Sequence, residues 1–159
     1  MLKINDLAFS YSGNSCKVFN DFSLEFEKGA VYGLLGKNGT GKSTLLYLIT
    51  SLLHPQQGTV LFKGEEVRRR LPSTLSDMYI VPEEFELPSM TMKQYVKLNA
   101  PFYPNFSEEQ LKKNLALFDF DENIRLGDLS MGQKKKAYMC FALAANTSLL
   151  VMDEPMGSI

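Results

Sequence analysis

The chain has 159 residues, 45% hydrophobic and 22% charged, with 17 Lys+Arg against 18 Asp+Glu and a formal net charge of −1. That composition excludes a disordered chain and supports a buried core in one domain, or one domain with a small insertion. Near-neutral charge argues against a nucleic-acid binder built on a strongly basic face, and two cysteines, Cys16 and Cys140, are too few for a disulfide framework and read as reduced intracellular thiols.

Lys3, Asn5 and Asp6 break any signal-peptide run at the N-terminus. The uncharged stretch 137–152 is interrupted by Asn146-Thr147-Ser148 and is too short and polar to span a bilayer. Leu2, Ile4, Leu7 and Phe9 alternate imperfectly, and Phe22, Leu24 and Phe26 cleanly, which predicts two strands with turns at Gly13-Asn14 and Lys28-Gly29. The apolar run 30–35 predicts a strand buried on both faces of a parallel sheet. After a glycine-rich loop, Leu45, Leu46, Leu48, Ile49 and Leu52 predict a helix over 42–53, ended by His54-Pro55-Gln56-Gln57-Gly58. Residues 59–62 and 78–81 predict further strands.

From Glu83 to about Ala145 the pattern is mostly helical, with Pro88, Pro101 and Pro104 separating the pieces. Ser107-Glu108-Glu109-Gln110 has the form of a capping box, and Ala137, Cys140, Phe141 and Ala144 mark another helix. Residues 149–152 return to a buried strand. There is no internal repeat. The expected class is α/β: a core at about 1–82 and 146–159, with an inserted helical subdomain at about 83–145.

Gly36-Lys37-Asn38-Gly39-Thr40-Gly41-Lys42-Ser43 matches G-x-x-x-x-G-K-[ST] in full. Phosphate binding needs these residue types: glycines let backbone N–H groups turn inward, and the following helix adds unsatisfied N–H groups and its positive dipole end. Lys42 reaches the β/γ oxygens, and the Ser43 hydroxyl suits Mg²⁺. At the C-terminal end of the strand 149–152 stand Asp153, suited to hold Mg²⁺, and Glu154, suited to orient or deprotonate an attacking water. In Leu129-Ser130-Met131-Gly132-Gln133, Ser130 reads as a helix N-cap, another place where N–H groups and a hydroxyl meet a phosphate.

With Ser130 placed 23 residues before Asp153 and after the phosphate loop, the chain resembles an ABC-type ATP-binding domain from about Leu2 to Pro155. The fold implied is the P-loop NTPase core sheet with its helical subdomain. Gly36 to Ser43, with Thr44 beside them, match Walker A; Asp153-Glu154 match Walker B; Leu129 to Gln133 resemble the LSGGQ signature. The resemblance implies that Ser130, Gly132 and Gln133 contact the γ-phosphate of ATP on a second ATP-binding subunit, so that two domains sandwich two nucleotides. Tyr11 resembles the aromatic residue that stacks on adenine, and Val18 lies where an apolar contact to the base is usual. A transmembrane permease subunit is the implied partner, docking near the helical subdomain, and no nucleic acid is expected. The implied cofactors are ATP and Mg²⁺, and the implied location is cytoplasmic, peripheral on the cytoplasmic face of the inner membrane.

Three departures stand out. Glu83 occupies the position of a glutamine that touches Mg²⁺ and the attacking water; its carboxylate either binds the metal more directly or repels the γ-phosphate. Met131 replaces the first signature glycine and reads as tolerated. After Glu154 only Pro155-Met156-Gly157-Ser158-Ile159 remain; 156–159 do not resemble the family's aspartate-bearing loop, and His54 receives no catalytic role. The expectation is therefore a C-terminally truncated domain that hydrolyses ATP poorly alone and whose strand 149–152 lacks a sheet neighbour.

Arg68-Arg69-Arg70 and Lys134-Lys135-Lys136 read as solvated faces, and the methionines and Phe102, Tyr103 and Phe106 as packing. The leading expectation is the ATPase subunit of a membrane transporter, with a lean toward export. A soluble ABC-type ATPase and a non-catalytic nucleotide-binding regulatory module are the alternatives.

Overall fold

The structure, a computed structural model, describes residues 1–13 and 15–154. Asn14 and the expected departure at 156–159 lie outside the described residues. The chain forms two compact units, Met1–Thr74 and Leu75–Ile159.

In the first unit β1 (Leu2–Phe9) lies between β2 (Phe19–Phe26) and β3 (Gln57–Phe62), and the two-residue β4 (Glu65–Glu66) extends the antiparallel sheet in the order β2-β1-β3-β4. The imperfect alternation of β1 has a physical cause. Asp6 takes a left-handed φ of 48°, and the pairing register shifts around it against both neighbours. Leu2 and Ile4 are buried before the shift, and Leu7, Ala8 and Phe9 after it. Gly58 faces this bulge with φ 83°, where an added Cβ would overlap the carbonyl oxygens of Asn5 and Asp6.

Helix α1 spans Lys42–Ile49 and buries Thr44, Leu45, Leu48 and Ile49, the spacing of one helical face. It is shorter than the predicted 42–53. Ser51 turns left-handed at φ 58°, and the amides of Leu52 and Leu53 both return to the Tyr47 carbonyl. The Arg70 guanidinium fixes this end by donating to the Ser51 carbonyl at 2.6 Å, so Arg70 is a structural residue within the expected solvated run. A single turn, α2 (Pro72–Leu75), follows.

The strand expected at 30–35 is corrected. These residues belong to no strand, and the side chains of Val31 (101%) and Leu35 (97%) are fully exposed. An apolar run becomes a strand only when a neighbour supplies its ladder, and none of the described residues pairs with this segment. Tyr32 alone is anchored: its ring meets Phe26 edge-on, and its hydroxyl accepts the Glu27 amide at 3.0 Å.

In the second unit β5 (Met78–Val81) and β6 (Leu149–Met152) pair parallel, and the Asp153 amide extends the ladder to the Val81 carbonyl. The expectation that strand 149–152 lacks a sheet neighbour is thus corrected on one side. Three helices follow the predicted pattern: α3 (Met92–Asn99), α4 (Glu108–Ala116) and α5 (Met131–Ala144). Met92, Leu111, Leu115, Leu126 and Cys140 form one buried cluster; Tyr79, Val81, Phe141, Ala142 and Ala145 form another. Phe141 is its hub, with the rings of Tyr95 and Phe106 each 5.1 Å away.

The capping boxes fall elsewhere than expected. Ser107 accepts the Gln110 amide, but the Gln110 side chain turns to Asn114 instead of back to the cap. Complete boxes close at Thr91/Gln94 and Ser130/Gln133. Both cysteines are free; burial pushes the Cys140 thiol up to about 11, which leaves it unreactive at neutral pH. Among the described residues, no helix is long and apolar enough to cross a membrane.

Candidate functional site

Residues 36–41 form an exposed loop leading directly into α1. Gly41 makes the corner. Its φ is 92°, and an added Cβ would come within 2.7 Å of Val18 Cγ1 and 3.3 Å of the Phe19 ring. Lys37 is capped from within the loop, its carbonyl accepting the Thr40 amide at 3.3 Å and the Thr40 hydroxyl at 2.8 Å. The Lys42 ammonium folds back over the loop and donates to the carbonyls of Gly36 at 2.7 Å and Lys37 at 3.0 Å. Asn38 and Gly39 form the exposed tip between these contacts.

At the start of α1 no side chain caps the helix and no acidic residue stands in the first turn. Its first N–H groups and dipole end therefore face the loop without an internal anion, the condition under which a helix N-terminus receives phosphate. Ser43 lies half-buried in that first turn and Thr44 is buried behind it. The Tyr11 and Thr44 hydroxyls share a hydrogen bond of 2.8 Å, and the Tyr11 ring meets Phe9 edge-on at 5.0 Å. Tyr11 remains 45% exposed, so part of the ring is open to a stacking partner. The first unit thus brings together the loop 36–43, Thr44, Tyr11 and Val18.

In the second unit the C-terminal ends of β5 and β6 carry the carboxylates. Asp153 is only 4% exposed, and its Oδ2 has no hydrogen-bond partner among the described residues. An orphaned buried carboxylate oxygen is costly unless a cation or donor completes it, so this atom fits a divalent metal. Glu154 is half-buried and holds a left-handed φ of 44°, a conformation that a non-glycine residue keeps only when its surroundings impose it. Glu83 is exposed, two residues beyond β5.

The segment 129–133 opens α5. Ser130 Oγ accepts the Gln133 amide at 3.3 Å, and Gln133 Oε1 accepts the Ser130 amide at 3.0 Å. Ser130, Gly132 and Gln133 are all exposed, as is Met131. In the lysine run behind them Lys136 stays exposed, 5.3 Å from the centre of the Phe118 ring, whereas Lys135 departs from the expected solvated face: it is half-buried with its ammonium on the carbonyls of Glu83 and Glu154. Sequence gave no signal for Lys135 beyond its being one of three consecutive lysines.

Comparison with known proteins places this geometry in context. The family model described as ABC transporter matches residues 19–157. Over 159 residues the chain is 31% identical to the ABC transporter ATP-binding protein YtrB of Bacillus subtilis (strain 168), an alignment that takes in 100% of this chain and 54% of that protein. It is 30% identical over 168 residues to the carnitine transport ATP-binding protein OpuCA of Listeria monocytogenes, with 100% of this chain and 42% of that protein covered. A solved structure titled as the ATP binding subunit of an ABC transporter superposes with a TM-score of 0.83 at 25% identity, over 98% of this chain and 67% of that one. The chain therefore spans about half the length of the relatives it matches.

Proposed function

The chain belongs to the ABC transporter family, and on that premise we propose that the protein carrying it binds and hydrolyses ATP as the nucleotide-binding subunit of a membrane transporter. One observation supports this most directly: a glycine-cornered loop, 36–43, holds an ammonium at its rim and opens onto an uncapped helix N-terminus. In this proposal backbone amides of Gly36, Lys37, Asn38, Gly39, Thr40 and Gly41 hold the phosphates, Lys42 leaves its two carbonyls to meet β/γ oxygens, and Thr44 supports the loop from behind. Tyr11 stacks on adenine and Val18 touches the base.

Mg²⁺, when bound, would supply charge neutralisation at the phosphates; each unit carries residues proposed as ligands, Ser43 in the first, Asp153 and Glu83 in the second. Glu154 orients the attacking water and takes its proton. Ser130, Gly132 and Gln133 present their helix N-terminus to the nucleotide of a second ATP-binding subunit, and a transmembrane permease is moved by the cycle. The location that follows is the cytoplasmic face of the inner membrane, with export the favoured direction. We also propose the subdivision into a core (1–82 with 146–159) and a helical subdomain (83–145), and slow ATP turnover by these 159 residues alone.

Titration calorimetry with Mg-ATP on the full-length protein tests this. The expected result is saturable binding that Lys42→Ala abolishes, with Glu154→Gln keeping the affinity while turnover falls at least a hundredfold. Equal binding by wild type and Lys42→Ala would refute it.

A further inference from the structure

Lys135 sits on the second turn of α5, directly behind the Ser130/Gln133 capping box. Its ammonium donates to the Glu154 carbonyl at 2.5 Å and, over a longer 3.4 Å, to the Glu83 carbonyl. These carbonyls belong to corresponding positions, each two residues beyond a paired strand: Glu83 after Val81 and Glu154 after Met152. One side chain thus joins the two loops that carry the carboxylates of this end of the sheet. Ladder pairing ends one step earlier, at the bond from the Asp153 amide to the Val81 carbonyl, so past that point Lys135 replaces the ladder as the link between the loops.

Glu154 also needs such a support. Its φ of 44° is left-handed, and its peptide carbonyl accepts from the Lys135 ammonium. An ammonium with three donors on a flexible stem can hold two acceptors whose separation a planar amide would not bridge as readily.

From these contacts we infer that Lys135 is a positioning residue for hydrolysis: it locks the Glu154 turn and the Glu83 loop to α5, so that the orientation of the segment 129–133 is transmitted to the attacking-water carboxylate. The inference rests on the proposed ATPase function for its consequence, and on the two hydrogen bonds for its existence. Nucleotide contact is not part of the role, so turnover and affinity must separate.

The experiment compares Lys135→Met and Lys135→Arg with wild type in the full-length protein, following Mg-ATP hydrolysis and, separately, amide hydrogen exchange over 83–85 and 153–154 without nucleotide. Lys135→Met should lower kcat at least tenfold with KM within threefold, and both segments should exchange faster. Lys135→Arg should restore both readouts to within about threefold of wild type. Unchanged exchange in Lys135→Met overturns the tether, and a kcat within twofold of wild type overturns the positioning role. Should Lys135→Met not fold, Lys135→Arg decides: a tenfold slower kcat with unchanged exchange at both segments would overturn the proposal, since turnover would then have moved without the tether. A wild-type protein that fails to bind Mg-ATP while showing the expected exchange pattern would refute the ATPase function and uphold the tether.

Discussion

The hydroxyls of Tyr11 and Thr44 lie 2.8 Å apart, joining the residue two beyond the end of β1 to the buried third position of α1. The bond ties an exposed aromatic ring to the element that starts at the phosphate loop. Two changes at Tyr11 therefore have different consequences. Tyr11→Phe removes about 1 kcal/mol of stability through the lost hydrogen bond and leaves the ring for stacking. Tyr11→Ala removes the proposed stacking surface as well, and Mg-ATP affinity should fall roughly fivefold on the ~1 kcal/mol scale of aromatic stacking. Urea unfolding measures the first change and displacement of a fluorescent ATP analogue the second; equal affinity for Tyr11→Ala and wild type would remove Tyr11 from the proposed base site.

Gly58 is the position in the first unit least able to accept a side chain. Its φ of 83° is unfavourable to L-residues, and the atoms a Cβ would meet are backbone carbonyls of Asn5 and Asp6, which cannot rotate away. Gly58→Ala should cost about 3 kcal/mol or more, combining left-handed strain with displacement of the β1–β3 pairing. Urea unfolding reads this directly, and a loss below 1 kcal/mol would show that the bulge yields easily.

Local patterns were the legible part of this molecule. The match of 36–43 to the phosphate-loop pattern, the helix starting at Lys42 and the strands ending before Glu83 and Asp153 all follow from spacing that short segments enforce on themselves. Where pairing decides, sequence was less informative. Residues 30–35 have a strand's composition without a ladder partner among the described residues, so composition and structure diverge. The half-formed box at Ser107 shows the same limit at side-chain scale, since Asn114, one turn on, takes the Gln110 amide. Lys135 was hidden for a related reason: three lysines in a row are alike in sequence, and only the helix phase separates the one that turns inward.

The tyrosines around Phe141 set an alkaline limit for the second unit. Burial raises Tyr79 far above the ordinary phenol value, pushes Tyr95 up to about 12 and raises Tyr103 as well. The folded state thus holds these protons more tightly than the unfolded chain, which releases them near pH 10. Their contribution is complete below about pH 10 and is lost as pH climbs from there through the folded values, at up to about 1.4 kcal/mol per pH unit for each group. Urea midpoints between pH 8 and pH 11 should stay level to about pH 9.5 and then drop. Tyr95→Phe should flatten the drop, and a variant with the wild-type slope would assign the effect to other groups.

If Asp153 holds Mg²⁺ as proposed, stability is expected to depend on the metal. Its Oδ2 is buried and has no hydrogen-bond partner among the described residues, so the metal-free protein bears an uncompensated acceptor. Asp153→Asn exchanges a carboxylate for an amide that carries donors and less charge, and the metal-free variant should be as stable as wild type or more stable by about 1–2 kcal/mol. With Mg-ATP the order reverses. Wild type gains RT ln(1 + [L]/Kd), about 2.7 kcal/mol when ligand exceeds Kd a hundredfold, while the variant lacks the negative oxygen that a hard dication requires. Thermal melts of both proteins with EDTA, with ATP and EDTA, and with Mg-ATP separate the contributions. A Mg²⁺-specific increment in Tm should appear for wild type only. The same increment in Asp153→Asn would mean that the ion is held elsewhere and that the orphaned oxygen serves another purpose.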